Sequence, residues 1–124
     1  MIKEPKANFD LEERTAKFGE AIIEFTKQIS RNPINNPLIS QIVRSGTSVG
    51  ANYCEANNAQ TKKEFVHKIS ICKKEARETQ HWLRMIIKAD PQLKTSIQTL
   101  WQEVQELVLI FSAIIHTCNK SIKH

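Results

Sequence analysis

Between residues 65 and 86, apolar or small side chains recur at alternating steps of four and three. The positions are Phe65, Ile69, Cys72, Ala76, Thr79, Leu83 and Ile86. This spacing follows one face of an α-helix, and three further segments show similar patterns, whereas no run resembles a strand. Because only a few residues separate the segments, successive helices are expected to run antiparallel. The sequence therefore predicts an all-α fold, an antiparallel up-down-up-down four-helix bundle.

Capping signals indicate where the helices begin. Asp10–Glu13 and Thr61–Glu64 have the spacing of a capping box at a helix start. Asn36-Pro37 is expected to open the second helix, with asparagine as the cap and proline in the first turn. Asp90-Pro91 closes the third helix and begins the fourth. We expect one domain over residues 1–124, with helices at about 10–30, 37–57, 62–89 and 91–120.

The third helix also carries a basic row, two positions out of phase with its apolar row. We call the following residues the basic face: Lys63, His67, Lys74, Arg77, His81, Arg84 and Lys88. Two positions turn about 200° around a helix, so these side chains are expected to point to solvent. The row is about 37 Å long at 1.5 Å per residue. It is either an ordinary solvated helix exterior or a surface that binds phosphates.

The net charge of the chain is concentrated on this helix. Residues 62–88 hold eight lysines and arginines against three glutamates, a net charge of +5, and the whole chain is also +5. The remaining residues are therefore neutral in sum. A charge concentrated on one element indicates a surface that faces a partner, whereas an even distribution would concern only solubility. We predict that the basic face binds RNA or another nucleic acid.

The fourth helix carries more apolar surface than one bundle requires. Its first row comprises Leu93, Ile97, Leu100, Val104, Leu107, Phe111, Ile114 and Cys118. A second row, at steps of seven, comprises Trp101, Val108, Ile115 and Ile122. The second row could merely broaden the first, because two of its members lie one position beyond it. We expect instead that it forms the interface of a homo-oligomer, which would repeat the basic face around a symmetry axis.

The second helix contains a polar row at steps of four, four and three. Its members are Arg44, Ser48, Asn52 and Glu55. If the row turns inward, Arg44 must be paired, since an unpaired buried charge is very costly. We predict that Arg44 bridges to Glu75 or Glu78 on the third helix, within a polar network. The alternative is a groove that contacts a ligand.

The residue pattern favours no enzyme mechanism. Ser48 would need a base within hydrogen-bond reach, and the second helix has no histidine. Arg77 and His81, four positions apart, leave ribonuclease activity as a weaker hypothesis. His67 and His81 lie on the opposite face of the third helix from Cys72, so they do not form a metal site with it. We predict no catalytic residues, no metal and no cofactor.

Several features are typical of a cytoplasmic protein. Residues 1–13 lack the apolar stretch of a secretory signal. The longest apolar-rich run, residues 107–115, is far short of the roughly 20 residues that cross a bilayer. Cys54, Cys72 and Cys118 have no spacing typical of a disulfide framework or a zinc site. We expect free, mostly buried thiols and no membrane partner.

The stretch from Gln41 to Ile86 resembles the four-helix-bundle proteins encoded in intervening sequences of bacterial 23S ribosomal RNA genes. The polar row matches the arginine, serine, asparagine and glutamate of that family's second helix. The third helix matches at Phe65, Lys74-Glu75-Ala76, Glu78-Thr79 and Trp82-Leu83. One departure is that many members read Asn-Ile-Ala-Glu-Gly where this chain has Asn52-Tyr53-Cys54-Glu55-Ala56, so the helix end is expected to differ.

The resemblance carries modest implications for function. Most members of the family have no assigned activity, and related bundles are homopentameric barrels. One branch, the accessory proteins of diversity-generating retroelements, is basic and associates with a reverse transcriptase and with nucleic acid. By this resemblance we expect a homo-oligomer, a pentamer, that associates with RNA and is not an enzyme. The alternative is an adaptor whose basic face binds an acidic protein surface, such as that of a reverse transcriptase.

Overall fold

Four α-helices occupy most of the residues that the computed structural model describes, which are 10–123 for the backbone and 10–120 for the side chains. The helices are α1 Leu11–Thr26, α2 Asn35–Asn57, α3 Lys62–Ala89 and α4 Lys94–Lys123. A 3₁₀ turn, Pro91–Leu93, separates α3 from α4, so α4 begins after this turn and not at Pro91. No strand occurs in the described residues, and the predicted all-α four-helix fold is confirmed.

Side-chain caps hold the starts of α1 and α3. Asp10 Oδ1 accepts a hydrogen bond of 3.2 Å from Glu13 N, and Thr61 Oγ1 accepts one of 3.0 Å from Glu64 N. The Glu64 carboxylate in turn accepts a 3.0 Å bond from the backbone N–H of the residue before Thr61. These bonds satisfy amides that have no partner within the helix, so each helix begins where its capping signal stands.

The first helix ends at Thr26, earlier than the predicted end near residue 30. The backbone N–H groups of Lys27, Gln28 and Ile29 donate to carbonyls three residues back, at 3.0–3.2 Å. Such bonds tighten the last turn and end the α-helical geometry. Ile29 remains buried, so its apolar spacing located a core residue but not a helical one.

The second helix begins at Asn35, and the prediction that Asn36 caps it is wrong. Asn32 Oδ1 accepts hydrogen bonds from Ile34 N and Asn35 N, at 3.0 and 2.7 Å. The Asn36 side chain instead turns back to accept a 3.2 Å bond from Asn32 N. Asparagine favours caps and turns through bonds of this kind. With three asparagines in five residues, the sequence alone could not show which one caps the helix.

Contacts across the helix seams show the antiparallel order. Ser45, near the middle of α2, accepts a 2.8 Å hydrogen bond from Thr79, in the second half of α3. Glu55, near the end of α2, meets Lys68, near the start of α3, at 2.6 Å. The connector at Asp90 is too short to allow anything but a reversal between α3 and α4.

Glycines in α2 allow a close approach to α1. A Cβ at Gly46 would lie 2.9 Å from Ile22 Cγ1, and one at Gly50 would lie 3.3 Å from the main chain of Thr15. Ile22 is completely buried against this glycine. Glycine weakens a helix by propensity, and the packing that it permits offsets this loss.

The core receives large side chains from all four helices. The bulkiest fully buried ones include Ile22, Ile42, Ile69, Leu83, Leu107 and Phe111. The apolar row predicted for α3 is buried from Ile69 to Ile86, with Phe65 half-buried at its start. The opposite side of α3 therefore faces solvent. Within the described residues, none of the helices combines the length and apolarity that a bilayer crossing requires.

Candidate nucleic-acid interface

All seven members of the basic face are exposed along the outer side of α3. Each of the seven side chains is exposed, while the apolar row on the other side of the helix is buried from Ile69 to Ile86. The row runs almost the whole length of the helix, because α3 spans Lys62–Ala89 without interruption. The phase difference read from the sequence thus places the cationic groups together on one surface.

The lysines and arginines of the basic face form no ion pair within the described residues. The ion pairs of α3 involve other side chains, namely Lys68 with Glu55 and the two glutamates Glu75 and Glu78 with Arg44. Glu64 is occupied at the helix start. Because the acidic side chains of α3 are turned to the helix start or to α2, none of them forms an ion pair with the basic face, and Lys74 acts on Glu78 only through space by lowering the pKa of that carboxylate.

Arg44 connects α2 to α3 through both predicted glutamates. Its Nη1 lies 3.2 Å from Glu75 Oε1, its Nη2 donates to Glu78 Oε2, and its Nε donates to Gln41 Oε1 at 3.3 Å. Trp82 Nε1 donates to the same Glu78 oxygen at 3.2 Å. We call Arg44, Glu75, Glu78 and Trp82 the arginine clamp. It joins the α2–α3 seam at the edge of the basic face.

The arginine clamp lies at the solvent edge of the seam and not inside the bundle. The Arg44 side chain is 46% exposed, whereas that of Glu75 is only 9% exposed. Burial opposes ionisation of Glu78, but hydrogen bonds from Arg44 and Trp82 outweigh it and hold the pKa of Glu78 below its usual value. The hydrogen bond to Glu78 correspondingly raises the pKa of Arg44. Arg44 and Glu78 are therefore both ionised at neutral pH.

The other members of the polar row do not extend this cluster into a network. Ser48 Oγ donates to the Arg44 carbonyl at 2.5 Å, and Asn52 Nδ2 donates to the Ser48 carbonyl at 2.9 Å. Both bonds return to the backbone of α2, one turn earlier. Glu55 is paired with Lys68 instead. The structure brings Arg44, Glu75 and Glu78 together and leaves Ser48, Asn52 and Glu55 outside the clamp.

The family model described as 23S rRNA-intervening sequence protein matches residues 7–113, which is most of the chain. The chain belongs to this family. The resemblance drawn from residues 41–86 is thereby confirmed. One similar solved structure is a protein of unknown function from the S23 ribosomal protein family of Bacteroides thetaiotaomicron. It is 29% identical, with a TM-score of 0.74, and the match covers 85% of this chain and 97% of that one. No curated protein matches this chain.

In this member of the 23S rRNA-intervening sequence family, the residues predicted to form an oligomer interface differ in their exposure to solvent. Val108 is only 8% exposed and belongs to the core, so its assignment to an interface is wrong. It lies one position beyond Leu107 and broadens the buried stripe of α4. Trp101 is 40% exposed, and Ile115 is half-buried against the core. The side chain of Ile122 lies outside the described residues.

The cysteines are free thiols in three different environments. Cys72 is fully buried and donates through Sγ to the Val49 carbonyl at 3.5 Å, and burial raises the pKa of this thiol to about 12. Cys118 is half-buried. Cys54 is exposed, so the expectation of mostly buried thiols does not hold for it. Cysteine position on a helix face, not residue type alone, decides the exposure.

One charged cluster has no local sequence signal. Arg14 on α1 donates from Nε and Nη2 to Glu103 at 2.8 and 2.9 Å, and from Nη2 to Glu106 at 2.7 Å on α4. Hydrogen bonding to Glu103, followed by that to Glu106, raises the pKa of Arg14. The partners are about 90 positions apart in the chain. Only an observed covariation of these positions could have predicted the pairing.

Proposed function

We propose that this member of the family is a non-catalytic, homo-oligomeric protein that binds RNA phosphates through the basic face of α3. The observation that carries the proposal is the exposed row of cations without ion-pair partners in the described residues. The descriptions of the family and of its solved member refer to 23S rRNA and to ribosomal protein S23. These descriptions support RNA as the polyanion, although neither states that the proteins bind it.

The charge pattern fits a polyanion better than a single anionic group. Five lysines and arginines recur along about 37 Å of helix, so several phosphates can be contacted at once. Each contact releases condensed counterions from the nucleic acid, and this release drives binding that depends on salt. Surface lysines that were already paired with carboxylates would gain less from phosphate, because the pair must first be broken.

The arginine clamp supports this arrangement indirectly. It turns Glu75 and Glu78 toward α2, so neither carboxylate forms an ion pair with Lys74 or Arg77. It also fixes the seam beside which the basic face lies. We assign the clamp a structural role and not a catalytic one, because its arginine is held by two carboxylates.

A catalytic role has no support from the candidate nucleophile or from the weaker ribonuclease pair. Among the described residues, the hydrogen bond of Ser48 goes to a backbone carbonyl and not to a histidine. Arg77 and His81 are both exposed, and the His81 ring packs edge-to-face on Trp82 with the ring centroids 4.8 Å apart. We therefore propose binding without cleavage. Intact RNA after prolonged incubation with the protein is the expected result.

Self-association forms the second part of the proposal. Large apolar side chains remain exposed at Ile34 and Leu109, at 70% and 60%. A second copy could cover part of this surface, and the family resemblance suggests five copies around one axis. Each added copy would add a basic face and so raise the avidity for a long RNA. We place the assembly in the cytoplasm, where the three free thiols would stay reduced.

Binding of a random-sequence RNA at two ionic strengths tests the proposal. We expect tight binding in dilute buffer and a steep loss of affinity at higher salt, measured by fluorescence anisotropy. Light scattering of the same samples gives the mass of the assembly. Binding that does not respond to salt, or no binding in dilute buffer, would refute the RNA assignment. If the protein binds an acidic protein and does not bind RNA, the adaptor alternative is favoured.

A further inference from the structure

A cleft between α3 and α4 opens beside the basic face. It has a volume of about 480 Å³ and an almost entirely apolar lining. Leu83 and Ile87 of α3 and Ile97 and Trp101 of α4 form its walls. Clefts of this size commonly hold small molecules, with a few polar groups to orient them.

Trp101 gives the cleft an available aromatic ring. The indole is 40% exposed, and within the described residues its Nε1 has no hydrogen-bond partner. Trp82, in contrast, is half-buried and donates its Nε1 to Glu78. A ring that is held in place, accessible and next to apolar walls can stack on a second aromatic system. Of the two tryptophans, Trp101 is therefore the one whose ring is available to a ligand.

The cleft and the basic face share one residue, Arg84. It lines the cleft and is also an exposed member of the basic face. The opposite rim carries the amide side chains of Gln98 and Gln102, which can both donate and accept hydrogen bonds. The Glu106 carboxylate also lines the cleft, and it is already paired with Arg14 of α1. The surface thus combines a cation for phosphate, an apolar slot for a planar ring and amides that suit the polar edges of a base.

We propose that this cleft receives an unpaired base of single-stranded RNA, which stacks on Trp101 while Arg84 and Lys88 hold the adjoining phosphates. This inference rests on the proposed function and adds the form of RNA that is bound. A base within a duplex is stacked and paired, so it cannot enter the slot, whereas a single strand can present its bases outward. Stacking on an aromatic side chain tolerates any base, so we expect the cleft to accept all four bases.

The test compares one labelled RNA strand of about 12 nucleotides with the same strand annealed to its complement. Wild-type protein is expected to prefer the single strand. Trp101→Ala is expected to weaken single-strand binding by about 5- to 100-fold and to leave duplex binding unchanged. Ile23→Ala is the matched control, because it removes an apolar side chain that is 41% exposed, close to the 40% of Trp101, and lies outside the cleft. It should leave both affinities unchanged.

Further variants and measurements distinguish stacking on Trp101 from misfolding or altered assembly. Trp101→Phe retains a ring and should recover most of the single-strand affinity, and circular dichroism of all variants checks that they fold. In a Trp82→Phe background, the remaining indole fluorescence should be quenched by the single strand and not by the duplex. Light scattering without RNA shows whether Trp101→Ala changes the mass of the assembly.

Three outcomes overturn the proposal. Equal binding of strand and duplex, with Trp101→Ala equal to wild type, removes the cleft assignment but leaves the basic face intact. A change in assembly mass in Trp101→Ala identifies the cleft as a contact between copies. Failure of both RNAs to bind in dilute buffer rejects the proposed function itself, and the cleft assignment with it.

Discussion

Neutralising two residues of the basic face should change how RNA binding responds to salt. Five lysines and arginines of this face are exposed and without ion pairs among the described residues. If each contacts one phosphate of a single strand, the logarithm of the affinity falls with that of the salt concentration at a slope of about −3.5. This slope corresponds to about a 100-fold loss between about 50 and 200 mM salt.

The double variant Lys74→Gln/Arg77→Gln removes two of these five contacts. The slope should then fall to about −2.1, which is about a 20-fold loss over the same salt range. Anisotropy titrations of a labelled RNA strand at several salt concentrations measure both slopes. The work should be done at about pH 8, where ordinary histidine side chains are uncharged and do not add to the slope.

A matched control separates the basic face from the net charge. Lys17→Gln/Lys27→Gln removes the same amount of charge from two exposed lysines outside α3. Lys17 lies in α1 and pairs with Glu13, and Lys27 directly follows α1 and pairs with Glu24. This variant should keep the slope of the wild type. Equal reductions in both double variants would mean that overall charge, and not this surface, controls binding. An unchanged slope in Lys74→Gln/Arg77→Gln would refute the assignment of these two contacts.

Three more predictions concern stability and reactivity. Arg44→Ala leaves the nearly buried Glu75 without its partner, which should lower the free energy of unfolding by about 1–2 kcal/mol. The midpoint of thermal unfolding should then fall by about 3–8 °C. An unchanged midpoint would contradict the stabilising role of the arginine clamp. Val108→Ala should lower the free energy of unfolding by about 1–2 kcal/mol in urea titrations, whereas Leu109→Ala should change it by less than about 0.5 kcal/mol. Cys72, buried and with a thiol pKa raised to about 12, should resist a thiol reagent at about pH 8 until the protein unfolds, as mass spectrometry of the labelled protein would show.

The periodic features of the sequence predicted the side of α3 that faces solvent. Its apolar and basic rows are out of phase by two positions, and this relation depends only on helix geometry. The link from Arg44 to Glu75 and Glu78 also followed, because a long charged side chain beside a packed seam needs a nearby partner of opposite charge. Both inferences use spacing within a helix or between neighbouring helices.

Features that depend on competition between similar residues could not be predicted. Asn32, and not Asn36, accepts the hydrogen bonds from the amides at the start of α2, since the choice between them depends on backbone geometry in the connector. Val108 belongs to the core because α4 buries a wider stripe than a strict row at steps of four and three. The α3–α4 cleft beside Trp101 was also missed, because a gap between two packed helices leaves no pattern in either one.

The contact between α1 and α4 has a consequence for local unfolding. A cleft of about 530 Å³ runs along this seam, and the hydrogen bonds that cross it within the described residues come from Arg14 and from Ser96 with Gln28. Hydrogen bonds and ion pairs at a half-exposed seam stabilise a fold less than buried apolar contacts do. The ion pairs also weaken as the salt concentration rises. The first helix should therefore open before the other three, and its amides should exchange with deuterium while those of α3 are still protected.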